Sequence, residues 1–185
     1  MAINPGVHAR ALHFPAMHKR DIELLIEFHY WATKKILDKA AKLSDGQFVA
    51  PQPAGFSAGS LRGTLVHAMG AEWAWWMRLQ QGVSPTAFPS EREFPNLSAL
   101  ILRWATEEDR LRAYVAGLSD ESLDETVTYK SLAGQERANT VGHSLLQVVL
   151  HGQQHRAECA AMLTDFGQSP GNIDFLYYLI EKNIA

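Results

Sequence analysis

The sequence predicts an all-α protein, a helical bundle with four long helices. Apolar residues recur every three or four positions through four long segments of the 185-residue chain, which places them on one face of a helix. Stretches rich in proline, glycine and serine separate these segments, as expected of loops. In the third segment Leu97, Trp104, Leu111 and Leu118 repeat every seven residues. This repeat is typical of helices that pack together in a bundle.

Capping and helix-breaking residues predict where the helices begin and end. We expect four long helices and a short fifth one, at residues 18–43, 61–81, 97–118, 140–167 and about 173–182. Ser60 and Asn96 have short polar side chains suited to cap the second and third helices, and Asn139 or Thr140 can cap the fourth. The boundaries therefore rest on local chemistry as well as on periodicity.

The segments between the helices are predicted to be loops, with one exception. Residues 44–59 and 82–95 carry prolines and no helical periodicity. Residues 119–139 also break the helical pattern, and the alternation at 127–129 predicts a small hairpin before the fourth helix. Residues 1–17 are predicted to be an irregular N-terminal arm, which leaves 18–185 as a single helical domain.

Composition argues against several classes of partner. The formal net charge is −3, and no run of lysine or arginine occurs, so neither nucleic acid nor an anionic membrane is an expected partner. No apolar run reaches the roughly 20 residues that cross a bilayer, and the N-terminus lacks the apolar core of a signal peptide. The single cysteine, Cys159, excludes an intramolecular disulfide framework. We expect a soluble cytoplasmic protein.

A histidine pair in the fourth helix is the strongest candidate for chemistry. His151 and His155 are four residues apart, so they lie about 6 Å apart along the axis and on nearly the same face of a helix. Imidazole nitrogens bind zinc, nickel, iron or copper. We predict that this pair, joined by His67 from the second helix, binds a divalent metal ion and leaves open positions for water or substrate.

The pair by itself is weak evidence, because two histidines often fall at this spacing. No glutamate follows His151 as in the metalloprotease motif His-Glu-x-x-His. No Glu-x-x-His pair occurs in the chain, so a ferritin-like di-iron site lacks its ligands. Near His67, the small residues Gly63, Gly70, Ala71 and Ala74 either leave space for a pocket or allow a close approach of another helix.

Five further residues have two interpretations each. His29 is either a buried histidine bonded to a neighbour or part of the pocket wall. Trp76 belongs to a tryptophan group that exceeds one helix face, so it could line a pocket or a subunit interface. Glu158 could accept a hydrogen bond from His155 or lie on the surface. Cys159 is expected to be a small core residue, and His143 to cap the helix or lie on the surface.

The sequence resembles a known family in three separate motifs. These are FHYWATKKILDKAAKLSD, GSLRGTLVHAMGAEWAWWMRL and LLQVVLHGQQHRAECAAML, which occur in the order found in the DinB (damage-inducible) family of DinB/YfiT-like metalloenzymes. The resemblance covers about residues 18–180. It implies a four-helix bundle with up-down-down-up connectivity, a homodimer, and a metal site of three histidines at His67, His151 and His155.

The resemblance also implies a class of function. Relatives include transferases and isomerases that use low-molecular-weight thiols. Three imidazoles suit several ions, and we expect zinc or nickel, with iron or manganese as alternatives. The family often carries asparagine in the first-helix motif, where this chain has His29 and Thr33. The first hypothesis is therefore a metal-dependent enzyme acting on a small molecule with a thiol, or in a variant a metal-dependent hydrolase. The second is a non-catalytic dimeric bundle that binds a metal or ligand, and the third is a scaffold whose histidines only pack.

Overall fold

The structure is a computed structural model that describes residues 17–53, 56 and 58–184. Most of the predicted N-terminal arm, with His8 and His13, lies outside the described residues. In the described part seven α-helices, a short 3₁₀ helix and one two-stranded sheet are formed. The elements, in chain order, are α1 (Lys19–Ala40), α2 (Asp45–Val49), α3 (Leu61–Gln80), the 3₁₀ helix (Glu91–Glu93), α4 (Leu97–Ala116), α5 (Asp120–Asp124), β1 (Thr126–Lys130), β2 (Glu136–Thr140), α6 (Val141–Asp165) and α7 (Phe175–Glu181).

The predicted all-α fold is confirmed, and three of the four long helices begin at the predicted caps. The side chain of Ser60 accepts a hydrogen bond from the backbone of Gly63, and Asn96 caps α4 in the same way. Thr140, not Asn139, caps α6. Each cap satisfies a backbone N–H group that has no partner inside the helix.

The four long helices pack in the cyclic order α1, α6, α3, α4, and their inward faces form one apolar core. At the start of α1, Met17 lies next to Gly142 at the start of α6, while Lys19 donates to the carbonyl of Ala116 at the end of α4. In α3, His67 faces α6. The starts of α1 and α6 therefore lie at the same end of the bundle as the end of α4. The full up-down-down-up order that the resemblance implies stays a prediction.

The segment before α6 contains the predicted hairpin. Strands β1 and β2 pair antiparallel, with Thr126 opposite Thr140 and Lys130 opposite Glu136. The hairpin packs against α3, where the rings of Tyr129 and Trp75 meet edge to face with their centroids 5.0 Å apart. Strand β1 contacts α3 and strand β2 contacts α6, so the hairpin packs against both helices.

The prediction that residues 44–59 form a loop throughout is wrong, because α2 lies within them. Ser44 and Gln47 form a reciprocal capping box at its start, and Phe48 is buried in the core at 2% exposure. A single buried aromatic side chain holds this short helix against the bundle, so tertiary packing outweighs the proline-rich context.

Among the described residues, no helix combines the length and apolar character that a bilayer span requires.

Candidate metal centre

Three histidines meet between α3 and α6. The ring centroids of His151 and His155 are 4.4 Å apart, those of His67 and His155 4.6 Å, and those of His67 and His151 5.2 Å. One ligand atom from each residue lies within 4.8 Å of the other two. The i, i+4 spacing on α6 aligns two rings, and the packing of α3 on α6 adds the third.

Two nitrogens of this cluster are buried and have no hydrogen-bond partner among the residues that the structure describes. They are Nε2 of His151 and Nε2 of His155. A buried polar atom without a partner is costly and uncommon in folded proteins. Both atoms belong to residues whose rings lie in van der Waals range of each other and of His67, so the unmet bonding capacity is concentrated at one point.

Glu158 fixes the tautomer of His155. Its Oε2 accepts a hydrogen bond from Nδ1 of His155, with 3.0 Å between the two atoms. Because Nδ1 carries the proton in this bond, Nε2 of a neutral His155 ring keeps its lone pair. A carboxylate that bonds the outer nitrogen in this way orients histidine ligands in metal sites. Glu158 is partly buried at 18% side-chain exposure, so it is not the surface glutamate of the alternative interpretation.

Burial keeps two of the rings neutral. Burial, together with the neighbouring His155 and His67, lowers the pKa of His151 to about 4. Burial also lowers the pKa of His67, with His155 acting in the same direction. Neutral imidazole is the form that binds a metal ion. His67 and His151 are therefore in their ligand form at neutral pH.

The glycines of α3 accommodate loops. A Cβ atom at Gly70 would lie 3.1 Å from Cδ of Pro89, and one at Gly63 would lie 2.5 Å from the carbonyl oxygen of Ala58. The sequence offered two explanations for these glycines, space for a pocket or the close approach of another helix. The structure shows a third, because both glycines make room for loop residues. The loop over Gly70 brings Phe88 to 5.2 Å from the His67 ring, measured between centroids. This loop therefore forms part of the wall beside His67.

A buried polar network lies next to the histidine cluster. His29 is fully buried, and its Nε2–H donates to Oε1 of Glu72 at 2.8 Å. Nη1 of Arg156 donates to Nδ1 of His29, also at 2.8 Å. Arginine can only donate, so Nδ1 of His29 accepts and the ring is neutral. Burial and the charge of Arg156 accordingly lower the pKa of His29.

Glu72 is the acceptor on which this network converges. Tyr30 and Trp104 donate to its second oxygen, at 3.2 Å and 3.0 Å. Glu72 and Arg156 are 3% and 2% exposed, so two opposite charges are bridged by a neutral imidazole inside the core. Sequence reasoning missed both residues. The available signal was a glutamate inside the apolar stripe of α3, since a charged residue there needs a buried partner.

The remaining candidates lie apart from the three rings. Trp76 is half-buried, with the guanidinium of Arg110 of α4 4.8 Å from its ring centroid, and its role in a substrate pocket stays a prediction. His143 is exposed. Cys159 is a core residue at 1% exposure, as expected. His29 contacts the network described above, and a role for it beside a bound ligand stays a prediction.

A comparison with protein-family models decides the family. Residues 17–183 match the model of the DinB family. The chain belongs to the DinB family. The matched region contains every helix described above and all three clustered histidines. A comparison with curated proteins gave no match, so the assignment of DinB membership rests on the family model together with the three motifs.

The DinB chain offers a donor set that fits one divalent cation. Three imidazoles from two helices converge. His151 and His155 have buried nitrogens without a partner among the described residues, and Glu158 also fixes the tautomer of His155. Borderline metals such as zinc and nickel accept nitrogen ligands of this kind. Within the described residues this group includes no fourth histidine, cysteine, aspartate or glutamate.

Proposed function

We propose that this DinB-family protein binds one divalent metal ion through His67, His151 and His155 and is a metal-dependent enzyme. Its substrate would be a small molecule, with a low-molecular-weight thiol as the second reactant in a transferase or isomerase reaction. We further propose zinc or nickel as the metal, a homodimer as the assembly and the cytoplasm as the location.

One observation carries the metal assignment: the buried, unpartnered Nε2 atoms of His151 and His155. If the three histidines only packed, the fold would leave two buried nitrogens without any bond. A cation removes this penalty by accepting both lone pairs. The third ring, His67, is within reach of both, which gives a three-coordinate base.

The arrangement favours catalysis over a purely structural metal. Structural zinc sites are closed by four protein ligands, whereas catalytic ones retain an open position. Here the cluster has three protein ligands within the described part of the chain. His67 and His151 are only partly buried, so the open side can be reached from outside. A divalent ion bound there would supply Lewis acidity, which lowers the pKa of a coordinated thiol or water.

The chain's own cysteine does not supply the thiol. Cys159 is buried, and burial raises its pKa far above the ordinary value for a thiol. A neutral, buried thiol is a poor nucleophile. A thiol reaction at this centre therefore needs a thiol from solution, which supports the proposed second reactant. Glu158 holds the His155 ring in place, and no described residue is assigned as a general base.

Metal content tests the first part of the proposal. Protein purified without a histidine tag should contain close to one equivalent of a divalent metal by elemental analysis, and the variant His151→Ala/His155→Ala should contain none. His143→Ala is the matched control, because it removes an exposed histidine from the same helix. Equal metal content in the wild type and the double variant would rule out the metal site.

Thiol consumption tests the second part. Several low-molecular-weight thiols are paired with a panel of electrophiles, with and without added zinc or nickel. We expect metal-dependent loss of one thiol that disappears in His151→Ala/His155→Ala. Metal-bound protein that consumes no thiol but hydrolyses esters or amides would identify a hydrolase. Metal-bound protein without either activity would favour a binding protein.

A further inference from the structure

Arg78, near the end of α3, is a second polar group whose bonding is incomplete. It lies eleven residues after His67, so it is about 16 Å farther along the helix axis at about 1.5 Å per residue. It therefore lies outside the histidine cluster. Its surroundings are Trp75 on the same helix and Tyr129 of β1.

Arg78 is a nearly buried cation without a carboxylate. The residue is 8% exposed, and its Nε is buried with no hydrogen-bond partner. Across the described residues, no hydrogen bond or ion pair engages any of its three nitrogens. Burial lowers the pKa of Arg78, and only the Tyr129 hydroxyl acts in the opposite direction. Arginines buried to this degree are normally paired with an anion.

Two aromatic rings hold the guanidinium in place. Its Cζ lies 4.9 Å from the ring centroid of Trp75 and 4.9 Å from that of Tyr129. Such contacts stabilise the cation without pairing its N–H groups with an oxygen acceptor. The N–H groups of Arg78 lie in the plane of the group, along its edge. A planar fork of donors held in this way matches two oxygens of a carboxylate or phosphate.

The surface next to Tyr129 adds donors and positive charge. The Tyr129 hydroxyl accepts a hydrogen bond from Asn139, which leaves its own hydrogen for another acceptor. Arg137 is the cross-strand partner of Tyr129, so both side chains leave the same face of the hairpin. Within the described part of the chain, the Arg137 guanidinium bonds two uncharged oxygens, the side chain of Gln135 and the carbonyl of Glu136.

A groove of about 600 Å³ adjoins these residues. Tyr129, Arg137, Lys130 and Glu136 are among its lining residues. Lys130 and Glu136 are cross-strand neighbours of opposite charge, so Arg137 provides the excess positive charge of this lining. Arg78 is not among the described residues that line the groove, but its guanidinium lies 4.9 Å from the ring centroid of Tyr129, which does line it. This local excess contrasts with the net charge of −3 for the whole chain.

We propose that Arg78, clamped between Trp75 and Tyr129, is the central group of an oxyanion-binding site for a small carboxylate or phosphate compound. The anion accepts two hydrogen bonds from the edge of the Arg78 guanidinium. Arg137 and the Tyr129 hydroxyl contribute charge and a further donor. This site does not depend on the metal proposal, because it shares no residue with the histidine cluster.

Calorimetric titration of the full chain tests the site. Inorganic phosphate and succinate are the two probes, at low ionic strength and with sodium chloride as the ionic control. The wild type should bind one of them saturably, and the probe with the higher affinity identifies the class. Arg78→Met should bind about tenfold more weakly or worse, because it loses charge-assisted hydrogen bonds. Arg78→Lys keeps the charge but not the fork, so its affinity should fall between the two.

Arg62→Met is the matched control. It removes the same charge from the same helix, but Arg62 lies at the other end and pairs with Glu91. The Arg62→Met variant should therefore bind the probe anion with the affinity of the wild type. Far-ultraviolet circular dichroism verifies that each variant folds. If Arg78→Met does not fold, the comparison of Arg78→Lys with the wild type still tests the site. Absence of saturable binding by the wild type would overturn the proposal. Unchanged affinity in both Arg78 variants, or an equal loss in Arg62→Met, would do the same.

Discussion

Replacing Gly152 by alanine should destabilise the protein through a clash in its core. Gly152 lies on α6 between the two clustered histidines and faces the buried ring of His29. A Cβ atom there would lie 2.4 Å from Cε1 of His29 and 2.8 Å from Nη1 of Arg156. Both are far inside van der Waals contact. Gly152→Ala must therefore displace the ring, the guanidinium or the helix.

The size of the effect follows from three contributions. Forcing a methyl group into a packed core costs about 1–3 kcal/mol. His29 makes 2.8 Å bonds with Glu72 and Arg156, and losing one of the two adds about 2 kcal/mol, because a hydrogen bond to a charged group contributes about 1.5–3 kcal/mol. Replacing glycine by alanine inside a helix returns about 1 kcal/mol. We expect a net loss of about 3 kcal/mol in the free energy of unfolding.

Urea and thermal denaturation of the metal-free protein measure this loss. For a chain of this size the melting temperature should fall by about 6–12 °C, at about 2–4 °C per kcal/mol. Gly117→Ala is the matched control, because a Cβ there would meet its nearest atom, the carbonyl oxygen of Tyr114, at an ordinary 3.5 Å. That variant should be neutral or slightly more stable.

A double-mutant cycle decides whether the His29 ring is the cause. In a His29→Ala background the obstructing ring is gone, so Gly152→Ala should cost much less than it does in the wild type. Wild-type stability of Gly152→Ala would refute the reasoning. An identical cost in both backgrounds would show that the clash with His29 is not what the methyl group meets.

Two further predictions concern other buried groups of the same core. Glu72→Gln should lower the free energy of unfolding by about 3–5 kcal/mol, because it leaves the buried charge of Arg156 without its counter-charge. The control is Glu108→Gln, which breaks a partly exposed pair with Arg112. It should cost less than about 1 kcal/mol in the same denaturation experiment. Similar losses in the two variants would contradict the network described here. Cys159 should not react with a thiol reagent such as Ellman's reagent at pH 8 in the folded protein, because burial raises the pKa of its thiol. In denaturant it should react fully. Rapid modification of the native protein would contradict this prediction and mean that the thiol is accessible.

Local patterns were sufficient for the long helices. Their predicted ranges differ from the observed ones by no more than three residues at either end, because periodicity and capping residues act over a few positions. The helix α2 was missed although Ser44 and Gln47 have the capping-box spacing. Proline-rich surroundings argued for a loop, and only the burial of Phe48 in the core explains why the helix is stable there.

The buried ionic network shows a different limit. A histidine in the apolar stripe of α1 and a glutamate in that of α3 each indicate a polar group in the core. Neither indicates its partner, since His29, Glu72 and Arg156 come from three helices separated by many residues. The same holds for Arg78, whose lack of a carboxylate becomes visible only once the hairpin has packed against α3.

For the histidine cluster, the sequence by itself determined that His151 and His155 share one face of a helix, because four residues make about one helical turn. The three family motifs added His67 as the third member. Only the tertiary structure decided that the His67 ring approaches the other two and that two nitrogens remain buried without partners. Helical spacing is a property of a few neighbouring residues, whereas the meeting of α3 with α6 and the exclusion of water depend on the packing of the whole bundle.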